Sequence, residues 1–442
     1  MAARIQELGE AATSSRSQVL NRWRASGTVV LLLLLGIGTG FASVAPRPYL
    51  VAALSVAVVA GFLLVGRGVS AKVVALYWIT FCLFSTMLTE YVVGGMFNVL
   101  NLMLLLSVVA QLFTGKLKVD AKSLWLFGLL LAVIIQSLVG YTGSVGGIAT
   151  DRLLFVPLGA LAMLGMSSNS ASKWFFGSTV VSSAAVAIWV VASALSTDFA
   201  YRASVGADQN VVSLFIGIGL AVCISEFLGA RYARFGPLYW VGLVLLLGVM
   251  GYSLALLASR GAVISLGLLA IAAVVRLVAI TPRSILRFGL LLMAIGSVFL
   301  LPGASGILER FQDASTETGS GRVQIWEAVI SSAELSDLPQ LLLGRGMLSS
   351  AELLQGEFTY YTSTHNSYLF MLFDYGLLGF TLFLALHLLI LIRAWRTPTR
   401  TGTTVILVLV FQMGVGFFIT ASDSYLYWLS MGALLGIVQA TD

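Results

Sequence analysis

The chain has 442 residues, of which 59% are hydrophobic and only 10% are charged. Soluble domains carry about 25% charged residues, so the chain lacks the polar residues to cover a water-soluble globule. This composition excludes a soluble enzyme, a disordered regulator and, with only two cysteines, a disulfide-stabilised secreted module. It predicts an all-α, polytopic integral membrane protein.

Apolar runs long enough to cross a bilayer predict about 14 transmembrane helices (12–14). We expect them near residues 27–45, 48–66, 71–91, 96–114, 124–142, 152–168, 173–196, 211–229, 237–258, 261–281, 287–302, 377–395, 403–421 and 424–439. Four regions follow, namely a cytoplasmic tail (1–26), helices 1–11 (27–301), an external loop (302–364), and a motif helix with the last three spans (365–442).

The charges predict the orientation of these spans. When the connections alternate between the two sides, eighteen Lys and Arg residues fall on one side and seven on the other. Because cytoplasmic loops carry the excess of positive charge, we expect both termini in the cytoplasm. We also expect the first span to be a retained signal anchor. The seven external residues are all arginine, which suits bidentate contact with phosphate, although neighbouring acids could equally pair with them.

The external loop of about sixty residues is long enough to be functional. An amphipathic helix is predicted over about 321–335, with Ser320 as its N-cap. Its apolar residues are expected to lie on the bilayer surface or on the helix bundle. They recur at helical spacing as Val323, Trp326, Val329, Ile330 and Ala333.

The chain has two histidines, in different settings. His365 follows a polar run at the external edge of the next helix, where an imidazole can act as a general base or a positioned donor. Thr364 or Asn366 could instead place this turn in a helix cap. His387 lies mid-span and is interpreted as a satisfied bundle histidine, and Cys82 and Cys223 as small apolar core residues.

Two external arginines could bind an anion. Arg260 lies between hydrophobic runs with almost no loop to expose it, and a charge within a span costs about 2.5–3.5 kcal/mol. Arg202 lies in a turn rich in small residues that leads to Asn210. The alternatives are snorkelling of Arg260 to the headgroups and pairing of Arg202 with Asp198 or Asp208. The sequence has no Asp-x-Asp pair for a divalent ion, so arginines would have to neutralise any leaving diphosphate.

The stretch from His365 to Gly379, HNSYLFMLFDYGLLG, resembles the signature of the O-antigen ligase and Wzy-type polymerase superfamily. In that pattern His-Asn is followed by Gly-x-x-Gly, which Gly376 and Gly379 fit. The resemblance covers about residues 200–380. It includes Arg202 to Asn210, Ser259 to Ala262, Glu309 to Phe311, Ser320 to Arg322 with Ile325-Trp326, and Leu343 to Gly346.

The resemblance implies a metal-independent, inverting membrane glycosyltransferase of the GT-C type in the inner membrane of a bacterium, with no cofactor. It would act on the periplasmic or outer face in lipopolysaccharide or other cell-envelope biosynthesis. Its donor would be a glycan on undecaprenyl diphosphate, and its acceptor lipid A core or another glycan. Membrane lipids are the other expected partners, and nucleic acid is not one.

The same resemblance assigns roles to individual residues. Arg202 and Arg260 would bind the diphosphate, and His365 would orient or deprotonate the acceptor hydroxyl. Secondary candidates are Arg322, Arg345, Asn366, Asn210 and Tyr368, with Arg152 weaker still. One departure is that eleven spans precede the loop here, where ligases usually show nine.

Three alternatives remain open from the sequence. A ligase and a polymerase differ only in the acceptor, and the sequence does not decide between them. A transporter or flippase for an anionic lipid-linked substrate would also suit many spans and external arginines. A non-catalytic scaffold of an envelope assembly is the third.

Overall fold

The structure is a computed structural model that describes the second half of the chain most fully. It describes residues 92–93, 97–98, 120–138, 153, 155–167, 171–196, 209–229, 237–277, 282–298, 300–304, 321–332, 337–357 and 363–441. The tail, the first three predicted spans, Cys82, Arg152 and Arg202 lie outside these residues.

The earliest described elements are two short strands. Strand β1 (Val92–Val93) pairs antiparallel with β2 (Phe97–Asn98). The span predicted over 96–114 therefore starts too early, because Phe97 and Asn98 belong to a strand.

The remaining described elements are helices, and each span predicted from residue 124 onward corresponds to one of them. They are α1 (Ala121–Gln136), α2 (Phe155–Met166), α3 (Ala171–Ser196), α4 (Gln209–Leu228), α5 (Pro237–Leu256), α6 (Arg260–Leu277), α7 (Pro282–Val298), α8 (Arg322–Ser331), α9 (Leu338–Leu343), α10 (Ser349–Glu357), α11 (Ser367–Arg396), α12 (Arg400–Gly416) and α13 (Tyr425–Thr441). A 3₁₀ turn (Ala421–Asp423) joins the last two.

Within the described ranges, four helices are long and apolar enough to cross a membrane, which fits an integral membrane protein. They are Phe175–Ser196, Gln209–Leu228, Tyr239–Leu256 and Ser367–Arg396. Shorter apolar helices are Ala121–Gln136, Phe155–Met166, Leu286–Val298 and Arg400–Gly416. The total of about 14 spans stays a prediction.

Contacts between helix termini define two ends of the bundle. At one end, called here the His365 end, the N–H of Met347 donates to the Ser137 oxygen (3.2 Å) just beyond α1. At the same end, the rings of Phe155 and Tyr425, which begin α2 and α13, lie 4.6 Å apart. These contacts join termini that strict alternation of the spans places on one side.

The opposite end, called here the Arg393 end, holds two ion pairs. Arg393, near the end of α11, binds Asp120 at the start of α1 (2.5 Å). Arg400, at the start of α12, binds Glu226 at the end of α4. The two arginines belong to the set that the sequence places in the cytoplasm.

The bundle interior is largely apolar, and several of its buried polar side chains form hydrogen bonds within or between helices. His387 is 1% exposed, and its ring nitrogens contact the Tyr427 hydroxyl and, at 2.7 Å, the Phe383 oxygen. The prediction of a satisfied bundle histidine is confirmed. Cys223 is fully buried among apolar residues, as predicted.

Helix α11 is interrupted at Gly376, which has φ 66° and ψ −172°. Only glycine readily adopts this conformation. Beside the break, the oxygens of Phe373 and Asp374 accept the N–H groups of Arg345 (3.0 Å) and Gly346 (3.1 Å). Residues 345–346 therefore pair, main chain to main chain, with a broken helix.

The break at Gly376 divides α11 into two parts. The predicted span 377–395 begins directly after it, and the preceding turns carry the His-Asn motif at their start. A side chain at Gly344 or Gly376 would overlap the main chain of the other segment. This packing gives a physical reason for Gly376, the first glycine of the Gly-x-x-Gly pattern, and for Gly344 of the Leu343 to Gly346 stretch.

Helix α8 corrects two predictions for the external loop. Its N-cap is Gly321, with φ 77° and no side-chain cap, so Ser320 does not hold that position. Its buried residues are Ile325 and Val329, whereas Val323 and Ile330 are exposed. The buried face of α8 is therefore rotated about the helix axis relative to the predicted apolar face.

The buried face of α8 packs on the bundle rather than standing free. Ile325 and Val329 form a small apolar cluster with Leu354 of α10 and Phe373 of α11, and Trp326 packs against it. Of the two positions left open for this face, the structure selects the bundle.

Candidate active site

The His365 turn begins α11. His365 is partly exposed and has φ 47°, in the left-handed region that non-glycine residues seldom occupy. Asn366 is the N-cap, and its Oδ1 accepts the N–H groups of Tyr368 (2.9 Å) and Leu369 (3.1 Å). The helix-cap alternative is therefore confirmed for Asn366, and the cap fixes the residue directly after the histidine.

The hydroxyl groups of Ser363, Thr364 and Thr420 lie next to one another at the turn. Ser363 Oγ lies 2.6 Å from Thr420 Oγ1, and Thr364 Oγ1 lies 3.2 Å from the same atom. Ser363 Oγ also accepts the N–H of His365 (3.3 Å), and Thr364 donates to the Asn366 oxygen (2.9 Å). Thr420 thus bonds to both residues that precede the histidine.

Two further contacts hold the turn. Ser367 Oγ donates to the Ile419 oxygen (3.0 Å) and accepts the N–H of Ser422 (3.1 Å). On the loop side, the Trp326 indole N–H donates to the Thr364 oxygen (3.0 Å). The turn is clamped between the connection from α12 to α13 and helix α8.

Arg260 is the first residue of α6, at the same end of the bundle. The preceding Ser259 caps this helix, because its Oγ accepts the N–H of Ala262 (3.4 Å). The Ser259 hydroxyl also donates to Asn210 Oδ1 (3.3 Å), at the start of α4. Two helix N-termini therefore meet beside Arg260, and both carry the positive end of a helix dipole.

The connection from α12 to α13 joins the arginine to the histidine. A side chain at Gly261 would place its Cβ 2.5 Å from the Phe418 Cβ, so α6 abuts this connection directly after Arg260. Two residues beyond Phe418, Thr420 bonds to the His365 turn. Arg260 and His365 thus each lie beside a residue that contacts this short segment.

The secondary candidates have structural contacts. Arg345 donates to the Ser332 oxygen, and its guanidinium lies 5.2 Å from the centre of the Phe373 ring. The Tyr368 hydroxyl donates to the Met413 oxygen (3.0 Å). Arg322 begins α8, one turn before Trp326. These contacts tie α8, α11 and α12 together around the His365 turn.

Sequence reasoning missed the parts of the site that other segments supply. Thr420 carries no local sequence signal, since it is a single threonine after an apolar run, in the connection from α12 to α13. Asp374 is fully buried and accepts the N–H groups of Leu348 and Ser350 (3.0 Å each) at the start of α10. Its position within an apolar run could have suggested a buried capping role.

Apart from the two short strands β1 and β2, the described fold is a helical, apolar bundle whose His365 end gathers an arginine, two helix N-termini and a histidine turn. This arrangement is that of a membrane protein with a polar site at one end. Residues 243–384, about a third of the chain, match the family model described as O-antigen ligase. The match contains Arg260, Arg322, Arg345, and the motif from His365 to Gly379, so the resemblance drawn from these residues is confirmed. No curated protein matches the chain.

Proposed function

We propose that this protein transfers a glycan from an undecaprenyl diphosphate carrier to a hydroxyl of an acceptor glycan. The observation that carries the proposal is that the residue after Arg260 and the two residues before His365 all contact the same short segment, residues 418–420. Such a transfer needs positive charge at the leaving diphosphate and a base at the acceptor hydroxyl. The family match supports the same class of reaction.

The leaving diphosphate would bind at the N-terminus of α6. A guanidinium at a helix N-terminus adds to the positive dipole end, an arrangement that becomes favourable when an anion binds there. Arg260 would supply the bidentate contact, and the adjoining N-terminus of α4 at Asn210 would add to the field. Arg202, in the turn before α4, is proposed as the second arginine.

The acceptor would bind beside the His365 turn. Its hydroxyl oxygen attacks the anomeric carbon from the face opposite the diphosphate, and the carbon–oxygen bond to the diphosphate breaks. The hydroxyl proton passes to the imidazole of His365, and the leaving diphosphate keeps the bonding electrons. Attack from the opposite face inverts the anomeric centre, and no metal or cofactor enters the scheme.

The His365 end is proposed to face away from the cytoplasm, on the periplasmic side of a bacterial inner membrane. The charge distribution supports this orientation, because the basic residues of the Arg393 end belong to the larger set. A GT-C-type enzyme would then find the carrier-linked donor on the outer leaflet.

Purified full-length protein in nanodiscs provides the test. Wild type, His365→Ala, Arg260→Ala and Arg202→Ala are given synthetic undecaprenyl diphosphate oligosaccharides, and release of undecaprenyl diphosphate is measured. We expect losses of about 10²- to 10⁴-fold for His365→Ala, with normal folding. Arg396→Ala, exposed on α11 at the Arg393 end, is the matched arginine control and should keep full activity. Full transfer by His365→Ala would contradict the assigned role of the histidine.

A second arm distinguishes ligase from polymerase. The same donor is offered with lipid A core or with a second carrier-linked repeat, and the product glycan is sized. Movement of the labelled carrier across the bilayer without any glycan product would instead indicate a flippase.

A further inference from the structure

We infer that Thr420 is a positioning residue for His365, a role that rests on the transfer reaction proposed above. Thr420 does not touch substrate in this scheme. It acts through Ser363 and Thr364, the two residues that precede the histidine, and it lies 57 residues from Ser363 in the chain.

The hydrogen bonds of this group have one self-consistent direction. Thr364 donates its hydroxyl proton to the Asn366 oxygen (2.9 Å), so it can only accept from Thr420 (3.2 Å). Thr420 then has no proton left for Ser363, and Ser363 must donate to it (2.6 Å). Each of the three hydroxyl protons is used once. Thr420 thus accepts the proton of the Ser363 hydroxyl and donates its own to the Thr364 hydroxyl, so it links the two.

The turn requires this support because of its main-chain conformation. His365 has φ 47°, and a residue with a side chain keeps such a conformation only where its surroundings hold it. The N–H of His365 donates to Ser363 Oγ (3.3 Å), so the orientation of Ser363 bears directly on the histidine. Loss of the Thr420 hydroxyl would remove the acceptor of the Ser363 hydroxyl and leave Ser363 free to reorient, whereas Thr364 would keep its bond to the Asn366 oxygen.

Thr420 also relates the histidine to the arginine. Phe418, two residues earlier, packs against Gly261 directly after Arg260. A change that loosens the turn from Thr420 should therefore move the histidine relative to a donor held at Arg260. Misplacement of a reacting group by about 1 Å can cost about 10²-fold in rate. Donor binding, which depends on the arginine side, should remain.

The test compares Thr420→Val with Thr420→Ser in purified full-length protein. Valine keeps the shape and removes the hydroxyl, whereas serine keeps the hydroxyl. We expect Thr420→Val to lower kcat about 10- to 100-fold with an unchanged KM for the synthetic donor and unchanged binding of undecaprenyl diphosphate. Thr420→Ser should restore kcat to within about twofold of wild type.

Ser422→Ala is the matched control. Ser422 lies two residues away and is 3% exposed, and its hydroxyl has no hydrogen-bond partner within the described part of the chain. Its removal should leave kcat unchanged. If Ser422→Ala lowered kcat as much as Thr420→Val, the effect would belong to the segment and the inference would be wrong.

A second variant keeps the inference testable if Thr420→Val does not fold. Ser363→Ala removes the same bond from the other side and should lower kcat with unchanged carrier binding. In a folded double variant, the effects of Ser363→Ala and Thr420→Val should not add. Equal losses in Thr420→Val and Thr420→Ser would overturn the inference. Failure of the wild type to transfer any glycan would refute the proposed function itself, whatever the variants do.

Discussion

Trp326 donates its indole N–H to the main-chain oxygen of Thr364 across 3.0 Å, one residue before His365. This bond connects helix α8 to the turn that carries the histidine. The same tryptophan packs against the apolar cluster of Ile325, Val329 and Phe373. The segment that contains α8 is therefore part of the framework of the site.

Trp326→Phe tests this connection. Phenylalanine keeps much of the apolar contact and removes the donor, so we expect a loss of about 1 kcal/mol in stability and a severalfold lower transfer rate. Thermal unfolding and the transfer assay measure the two effects. Trp125→Phe is the control, because Trp125 is 70% exposed on α1. Equal behaviour of the two variants would show that the indole bond contributes nothing.

Asp374 anchors the segment 337–357 at the start of α10. It is fully buried and accepts the N–H groups of Leu348 and Ser350 (3.0 Å each). Asp374→Ala leaves these donors unpaired, and we expect destabilisation by about 1–3 kcal/mol. Limited proteolysis should then cut within 337–357 sooner than in the wild type. Glu352→Gln, exposed on the same helix, should show no change, and early cutting in that variant would contradict a specific role for Asp374.

Gly376 is expected to tolerate no side chain. Its φ of 66° and ψ of −172° cost other residues about 1–3 kcal/mol, and a Cβ would overlap the main chain of Leu342 and Gly344. Gly376→Ala should therefore lower the Tm and reduce the yield of folded protein. Gly356→Ala on α10 is the control, since its Cβ would meet no atom within 4 Å. A wild-type Tm for Gly376→Ala would show that the break in α11 is not required.

Asp120 should make stability depend on pH at the Arg393 end. Burial alone would raise the pKa of its carboxyl, but hydrogen bonds from Ser123 and Arg393, the charge of Arg393 and a hydrogen bond from Gln439 lower it well below the ordinary value of 3.8. Because the folded-state pKa is lowered, this stabilisation is present above about pH 4 and is lost as the pH falls toward the folded-state pKa. Asp120→Asn should lower the Tm at pH 7.

The difference in Tm between wild type and Asp120→Asn should shrink below about pH 4. Thermal unfolding from pH 3 to 7 in the same detergent measures it. Arg396→Gln, exposed near the same end of α11, controls for a simple change of net charge. A difference that stayed constant over this range would rule out the ionised carboxylate as the source.

The correspondence between sequence and structure is closest where the signal is local. Every apolar run from residue 124 onward forms a helix near its expected position, because hydrophobic length is a property of a continuous segment. The cap at Asn366 was one of two local alternatives, and the structure selects it. The sequence predicts helix α8, but its N-cap and its buried face differ from the prediction. The packing of Ile325 against the bundle determines which face of the helix is buried.

The sequence by itself determined the membrane class, the helices, and the histidine motif whose family match spans residues 243–384. Composition, apolar length and motif spacing are all properties of the linear sequence. Only the tertiary structure decided that Thr420 bonds to the His365 turn, that Ser259, next to Arg260, bonds to Asn210, and that residues 344–346 pair with α11 beside Gly376. Each of these contacts joins residues far apart in sequence, and their geometry depends on helix packing rather than on any local pattern.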